Sequence, residues 1–244
     1  KLASQGYGLI LLDRREDALK SLCDELVARH GIAVEPIAVD LISDEAVAAI
    51  ATRLSAMPNL ELLVNNAGFG VARFFVDADV EQHLDMVRVH VLAAVRLTHA
   101  VLPGMLDRNR GAIINVSSLN AWTPCAGVVS YSATKAYLTV FSQALHDELR
   151  GTGVRIQALC PGFIRTDFHD TPEMKGGFNT KQIPGFMWTT PERVVESSLK
   201  ALPRGRAIVI PGWFNRLTGR LMQMPIAQPI VRALVRQDRT LGEA

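Results

Sequence analysis

Ala112-Ile113-Ile114-Asn115-Val116-Ser117-Ser118 is a short, β-branched run that turns polar at its carboxyl end. Bounded by Gly111 on one side and a long helical pattern on the other, it reads as a buried strand. The same unit repeats outward in both directions. Apolar runs recur at 7–12, 34–39, 60–65, 154–160 and 207–210. Helix-periodic segments fill the intervals at 16–29, 44–56, 80–108, 130–150 and 191–202. Strands alternating with helices predict an α/β fold, a doubly wound parallel sheet with helices on both faces. Thr190 before Pro191 is placed to cap the last of these helices. Gly111 and Gly153, each between a helix and a strand, are expected to take the left-handed conformation of a helix terminus.

At 244 residues, 48% of them hydrophobic and only 6% aromatic, the chain forms one sizeable domain over 1–244. A net charge of +2 gives no electrostatic reason to expect a nucleic acid. No uninterrupted apolar stretch is of membrane-spanning length, so no membrane partner is expected. Cys23, Cys125 and Cys160 are widely separated and lack metal-ligand spacing, which predicts free thiols, no metal and a reducing, cytoplasmic setting. Two stretches break the alternation. Residues 168–188, rich in Gly, Pro, Thr and Phe, read as a substrate lid. Residues 213–244 form a C-terminal extension, apolar and Arg-bearing, interrupted by Pro225 and Pro229. It reads as a surface helix pair, a membrane-surface contact or an oligomer seam.

Chemistry is concentrated in Tyr131-Ser132-Ala133-Thr134-Lys135. On a helix, Tyr131 and Lys135 share a face, and an ammonium beside a phenol favours the phenolate and lowers its pKa. Ser118 closes the central strand, at the sheet edge where parallel folds bind ligands, and can donate to a substrate carbonyl oxygen. Asn65-Asn66-Ala67-Gly68 and Pro161-Gly162-Phe163-Ile164-Arg165-Thr166 close two further strands at that same edge. Trp122, Phe163, Phe168, Phe178, Phe186 and Trp188 lie in or near the lid and strand ends. They suggest an apolar alcohol or carbonyl substrate, with ordinary loop packing as the competing reading.

These motifs, together with Asn115-Val116-Ser117-Ser118, resemble the short-chain dehydrogenase/reductase family along essentially the whole chain. The resemblance implies a Rossmann fold binding NAD or NADP, and hydride transfer between an alcohol and a ketone or aldehyde. It implies Tyr131 as acid/base, Lys135 as holder of the nicotinamide ribose, and Ser118 as the group orienting the substrate oxygen. Asp40 and Leu41 would meet the adenine. Asn65, Ala67 and Gly68 would line the adenosine side, and Pro161, Gly162, Ile164 and Thr166 the nicotinamide side. Asp13 stands nearest the ribose 2′-OH and favours NAD, while Arg14 and Arg15 keep NADP open. Assembly through the long helices implies a homodimer or homotetramer.

The pattern is broken at two places. The family opens with a strand and a Gly-rich TGxxxGxG turn that cradles the pyrophosphate. This chain starts at Lys1-Leu2-Ala3-Ser4-Gln5-Gly6, matching the end of the following helix, so it is expected to be N-terminally incomplete relative to the working enzyme. The absent strand belongs mid-sheet, in the order 3-2-1-4-5-6. His90 stands where the family usually has an asparagine that helps relay protons. It is expected either to relay through water, with a charge varying near neutral pH, or only to fill space. The second departure and the absent turn leave one alternative function, a catalytically silent relative used for nucleotide sensing or as a scaffold.

Overall fold

The computed structural model describes residues 1–171, 173–174 and 183–224. Six of its strands are those that the apolar runs predict: β1 (Leu9–Asp13), β2 (Val34–Ala38), β3 (Leu62–Asn65), β4 (Gly111–Val116), β5 (Val154–Leu159) and β8 (Ile208–Val209). Two short strands, β6 (Phe163–Ile164) and β7 (Trp188–Thr189), pair with each other. The helices are α1 (Glu16–His30), α2 (Asp44–Ser55), α3 (Val80–Val87), α4 (Ala93–Asp107), α5 (Val129–Glu148), α6 (Pro191–Ala201) and α7 (Trp213–Gln223). Every recorded strand pairing is parallel.

Alternation along β4 makes the sheet two-faced. Ile113 enters a cluster with Val47, Ile50 and Leu54 of α2 and Leu97, Val101 and Met105 of α4. Its neighbour Ile114 points the other way, into a cluster with Val194 and Ala201 of α6. On β5, Ile156 joins the first cluster and Leu159 the second. Helices therefore cover both sides, as a run without polar alternation requires.

The sheet is interrupted. β3, β4, β5 and β8 form one hydrogen-bonded set and β1 and β2 another. Among the described residues no strand joins β1 to β3. A cleft of about 2100 Å³ runs there, lined by Leu9–Asp13 on one side and Leu62–Asn65 on the other. It continues past the strand ends into the candidate site.

Three local expectations change. Gly111 and Gly153 are not left-handed; Asn109 (φ 49°) and Gly151 (φ 84°) make those turns. Glycine is needed at 153 for space, since a Cβ there would collide with the carbonyl of Asn109. The segment Val80–Asp107 is, by length and composition, long and apolar enough to cross a membrane, although Glu81, Asp85, Arg88 and Arg96 interrupt its apolar run. Its inner face, including Met86, Ala94, Leu97, Val101 and Met105, forms part of the protein core. This helix is also not uniform: Arg88–Leu92 forms a π-helical turn between α3 and α4, with His90 at its centre. The cap at Thr190 is as expected, its hydroxyl accepting from Arg193 N at 3.5 Å.

Candidate active site

Every residue given a site role from the sequence lines the one cleft, from Asp13, Arg14, Asp40 and Leu41 at one end to Ile164 and Thr166 at the other. The parallel arrangement explains this: β1, β3, β4 and β5 all present their carboxyl ends to the same edge. Strand ends are held there by buried amides. Asn65 Nδ2 donates to Asn115 Oδ1 (2.8 Å) and Thr98 Oγ1 (3.2 Å), and Asn115 Nδ2 donates to Ser142 Oγ (2.9 Å). Asn65 thus ties β3 to β4 and α4 as well as facing the cleft, and Asn115 carries the link on to α5.

Tyr131 and Lys135 stand on the first turns of α5. Lys135 is buried, its Nζ 5.6 Å from the centre of the Tyr131 ring and donating to the Val116 carbonyl at 2.8 Å. Its backbone carbonyl accepts from Ser117 Oγ (2.7 Å), which also meets Thr139 Oγ1 at 2.8 Å. Ser118, one residue on, has its hydroxyl in hydrogen-bond reach of the Tyr131 phenol and accepts from Asn120 N at 3.2 Å. Ser118, Tyr131 and Lys135 therefore stand together at one wall of the cleft.

The electrostatics differ from the sequence expectation. Burial raises the Tyr131 pKa, and the hydrogen bond from Ser118 offsets this only in part. Burial also acts on Lys135 and brings its pKa down to about 8, so its ammonium keeps its charge at neutral pH. The Phe168 ring lies 5.8 Å from the Tyr131 ring, and both rings pack with Ala72, Val128 and Met174 in an apolar cluster. The Ala72 N–H donates to the Glu173 carbonyl (3.0 Å), and β6 pairs with β7.

His90 also departs from expectation. It is 1% exposed, and burial, reinforced by the charge of Lys135, lowers its pKa to about 2. Its charge therefore does not vary near neutral pH. Both ring nitrogens are engaged within the protein, Nε2 by Phe69 N and Nδ1 by Thr134 Oγ1.

At the far end Asp13 is already occupied. Arg15 donates to it from Nε (3.1 Å), from Nη2 (3.0 Å) and from its backbone N–H (2.9 Å). This pairing holds the Asp13 carboxyl below its ordinary range. Asp40 Oδ1 accepts from Ile42 N at 3.0 Å, and Thr166 Oγ1 from Phe168 N at 3.4 Å. Of the lid aromatics, Phe163 and Phe168 line the cleft while Trp122, Phe186 and Trp188 do not. Phe178 and the rest of 175–182 lie outside the described residues, as do residues 225–244 of the C-terminal extension.

Sequence reasoning missed several contributors. Thr134 and Ser117 lie inside or beside recognised motifs, so their positions were visible while their partners were not. Asn215 of α7, buried against Gly162 so closely that a Cβ there would lie 2.8 Å from its Oδ1, had no local signal.

A family model described as short chain dehydrogenase matches residues 1–175. A very-long-chain 3-oxoacyl-CoA reductase of Bos taurus is 31% identical over 206 residues, covering 83% of this chain and 62% of that protein. An uncharacterized oxidoreductase of Myxococcus xanthus (strain DK1622) is 33% identical over 239 residues, covering 98% of this chain and 90% of that one. This chain therefore spans less than two thirds of the length of the 3-oxoacyl-CoA reductase it matches. Among solved structures, a short-chain dehydrogenase from Sphingobium yanoikuyae in complex with NADPH superposes with a TM-score of 0.80. The two are 28% identical, with coverage of 90% and 85% of the respective chains. With the Ser118, Tyr131 and Lys135 geometry and the parallel Rossmann sheet, these matches place the chain in the short-chain dehydrogenase family.

Proposed function

We propose that the protein is an NAD(P)-dependent oxidoreductase that interconverts an apolar ketone or aldehyde and its alcohol. The observation that carries this is the gathering of a phenol, a hydroxyl and a buried ammonium at one wall of the cleft, beneath an apolar lid. The residues present fit a nicotinamide dinucleotide at its two ends. Asp13, Arg14, Asp40 and Leu41 suit the adenosine, and Lys135, Ile164 and Thr166 the nicotinamide ribose and carboxamide. Among the described residues none forms the Gly-rich pyrophosphate turn. The bound nicotinamide supplies or accepts the hydride.

The chain's own residues handle the proton. Tyr131, kept neutral by burial, is an acid ready to protonate a carbonyl oxygen as it gains charge. Ser118 donates to the same oxygen and orients it. Lys135 keeps positive charge next to the phenol, and Phe168 with Met174 excludes bulk water. The raised phenol pKa favours carbonyl reduction at neutral pH, since the acid form is the one present. Met174, Met187, Met222, Ile183 and Phe168 line the cleft and support a bulky apolar substrate.

Cofactor choice is balanced. Arg15 occupies both oxygens of Asp13, which leaves that carboxylate less able to receive a 2′-OH and less able to repel a 2′-phosphate. We take NAD as accepted through Asp13 and NADP through Arg14 and Arg15. Free cysteines support a reducing, cytoplasmic setting. The exposed apolar residues Leu84 and Leu92 on the long helix and Tyr137 and Val140 on α5 support a homodimer or homotetramer. The function is tested by following nicotinamide absorbance with bulky aryl or alkyl ketones, using the parent and Tyr131→Phe. Turnover by the parent that Tyr131→Phe lacks is expected; equal turnover by both overturns the assignment.

A further inference from the structure

The hydrogen bonds around His90 have a direction that assigns every proton in the chain. Phe69 N–H donates to Nε2 at 3.0 Å, so Nε2 carries a lone pair. The neutral imidazole therefore holds its proton on Nδ1, which faces Thr134 Oγ1 at 2.9 Å. Thr134 Oγ1 has its own proton committed to the Tyr131 carbonyl at 3.0 Å, so it accepts from the ring. The ring thus bridges the loop after β3 and the first turn of α5, 44 residues apart in sequence from Thr134. Neither nitrogen has capacity left for a water relay.

Packing holds the ring in the same place. It meets the Tyr131 ring edge-on at 6.0 Å and the Phe69 ring at 5.9 Å. Gly68 backs it so closely that a Cβ there would lie 2.7 Å from Nε2. The π-helical turn Arg88–Leu92 interrupts the ordinary helix between α3 and α4, with His90 at its centre. Among the described residues, the titratable groups against the ring are Tyr131 and Lys135, both from α5; the loop offers only backbone and the apolar Phe69 ring.

We propose that His90 is a positioning residue: an Nδ1-protonated imidazole that bolts the Gly68–Phe69 loop, on the cofactor side, to the helix turn carrying Tyr131. It acts through the two elements that it joins and passes no proton. This rests on Tyr131 being the acid of the proposed reaction. Because loop and helix each hold one reactant, loosening the bolt displaces the phenol from the carbonyl oxygen, and sub-ångström to ångström displacements lower rates about tenfold to a hundredfold.

Two measurements test this. Long-range 1H–15N correlation on protein labelled with 15N-histidine reads the tautomer directly and independently of any activity. A pyrrole-type Nδ1 and a pyridine-type Nε2, unchanged from pH 8 to pH 5, are expected; the opposite tautomer, or titration within that range, overturns the proposal. The second compares kcat, thermal midpoint and pH–rate profile for His90→Phe and His90→Asn. His90→Phe, which fills the space without bonds, should lower kcat about tenfold or more, while His90→Asn, able to remake one bond, should recover part of it. Both should keep the shape of the parent profile. A shifted profile means that the histidine does carry protons, and a lowered midpoint with unchanged kcat means that it only fills the core; either result overturns the proposal. If His90→Phe does not fold, the His90→Asn kinetics and the spectrum of the parent still decide. Failure of the catalytic reading itself would leave the parent inactive with the tautomer as described, which separates the two.

Discussion

At Tyr131 two influences oppose each other, and their order decides the chemistry. An adjacent lysine favours the phenolate, yet burial raises the pKa of Tyr131 and also lowers that of the Lys135 ammonium, to about 8. Carbonyl reduction should therefore run on a plateau at neutral pH and decline above about pH 8, where Lys135 loses its proton. A kcat profile for reduction that rises through that region would contradict this assignment. Tyr131→Phe removes the acid and should lower kcat by about 10²–10⁴, the usual worth of a positioned proton donor, with little change in the folding midpoint. His90 makes a separate prediction about stability. Its folded pKa of about 2 lies below the ordinary 6.5, so between those values the unfolded chain binds the extra proton. Stability from this residue is thus full above about pH 6.5 and is lost as pH falls toward 2. Urea unfolding at pH 7.5 and pH 5 should show the parent losing about 2 kcal/mol more than His90→Asn.

Elements are joined here by small residues whose reasons differ from their usual ones. Gly153 lies outside the left-handed region, and its missing Cβ leaves room for the Asn109 carbonyl at the start of β5. Gly153→Ala should therefore behave as overpacking and lower stability by about 1–3 kcal/mol, read by denaturant titration. A residue chosen for its φ would instead tolerate asparagine; Gly153→Asn should be at least as damaging as alanine. At the β1 end, the Arg15 fork on Asp13 is an exposed pairing, cheap to displace. Removing it with Arg15→Ala frees the carboxylate for a ribose 2′-OH and removes a phosphate contact. The ratio of NAD to NADP specificity constants should rise about tenfold, equivalent to about 1.4 kcal/mol.

For the molecule as a whole, the long helices present several apolar side chains outward. Val140 is 64% exposed, and Tyr137 stacks on Phe141 at 5.9 Å along the same helix. In the proposed homo-oligomer this surface is the seam. Val140→Glu should shift the mass measured by light scattering toward a single chain while leaving circular dichroism unchanged. A mass unaltered by that substitution, and by a matching change at Leu92, would remove these helices as the seam.

Much of this was legible in the residue order. Strand and helix identities followed from the periodicity of apolar side chains, because 112–117 can bury both faces only inside a parallel sheet. Convergence of Ser118, Tyr131, Lys135, Asn65 and Thr166 followed too, since parallel strands must release their carboxyl ends on one edge. Tertiary structure decided what those groups are worth. The sign of the Tyr131 shift depends on how deeply Phe168 and Met174 bury it, and the role of His90 depends on Phe69 and Thr134, which no local pattern joins to it. Charge state and hydrogen-bond direction are set by surroundings assembled from distant segments, and sequence spacing reports neighbours along the chain, not desolvation across it.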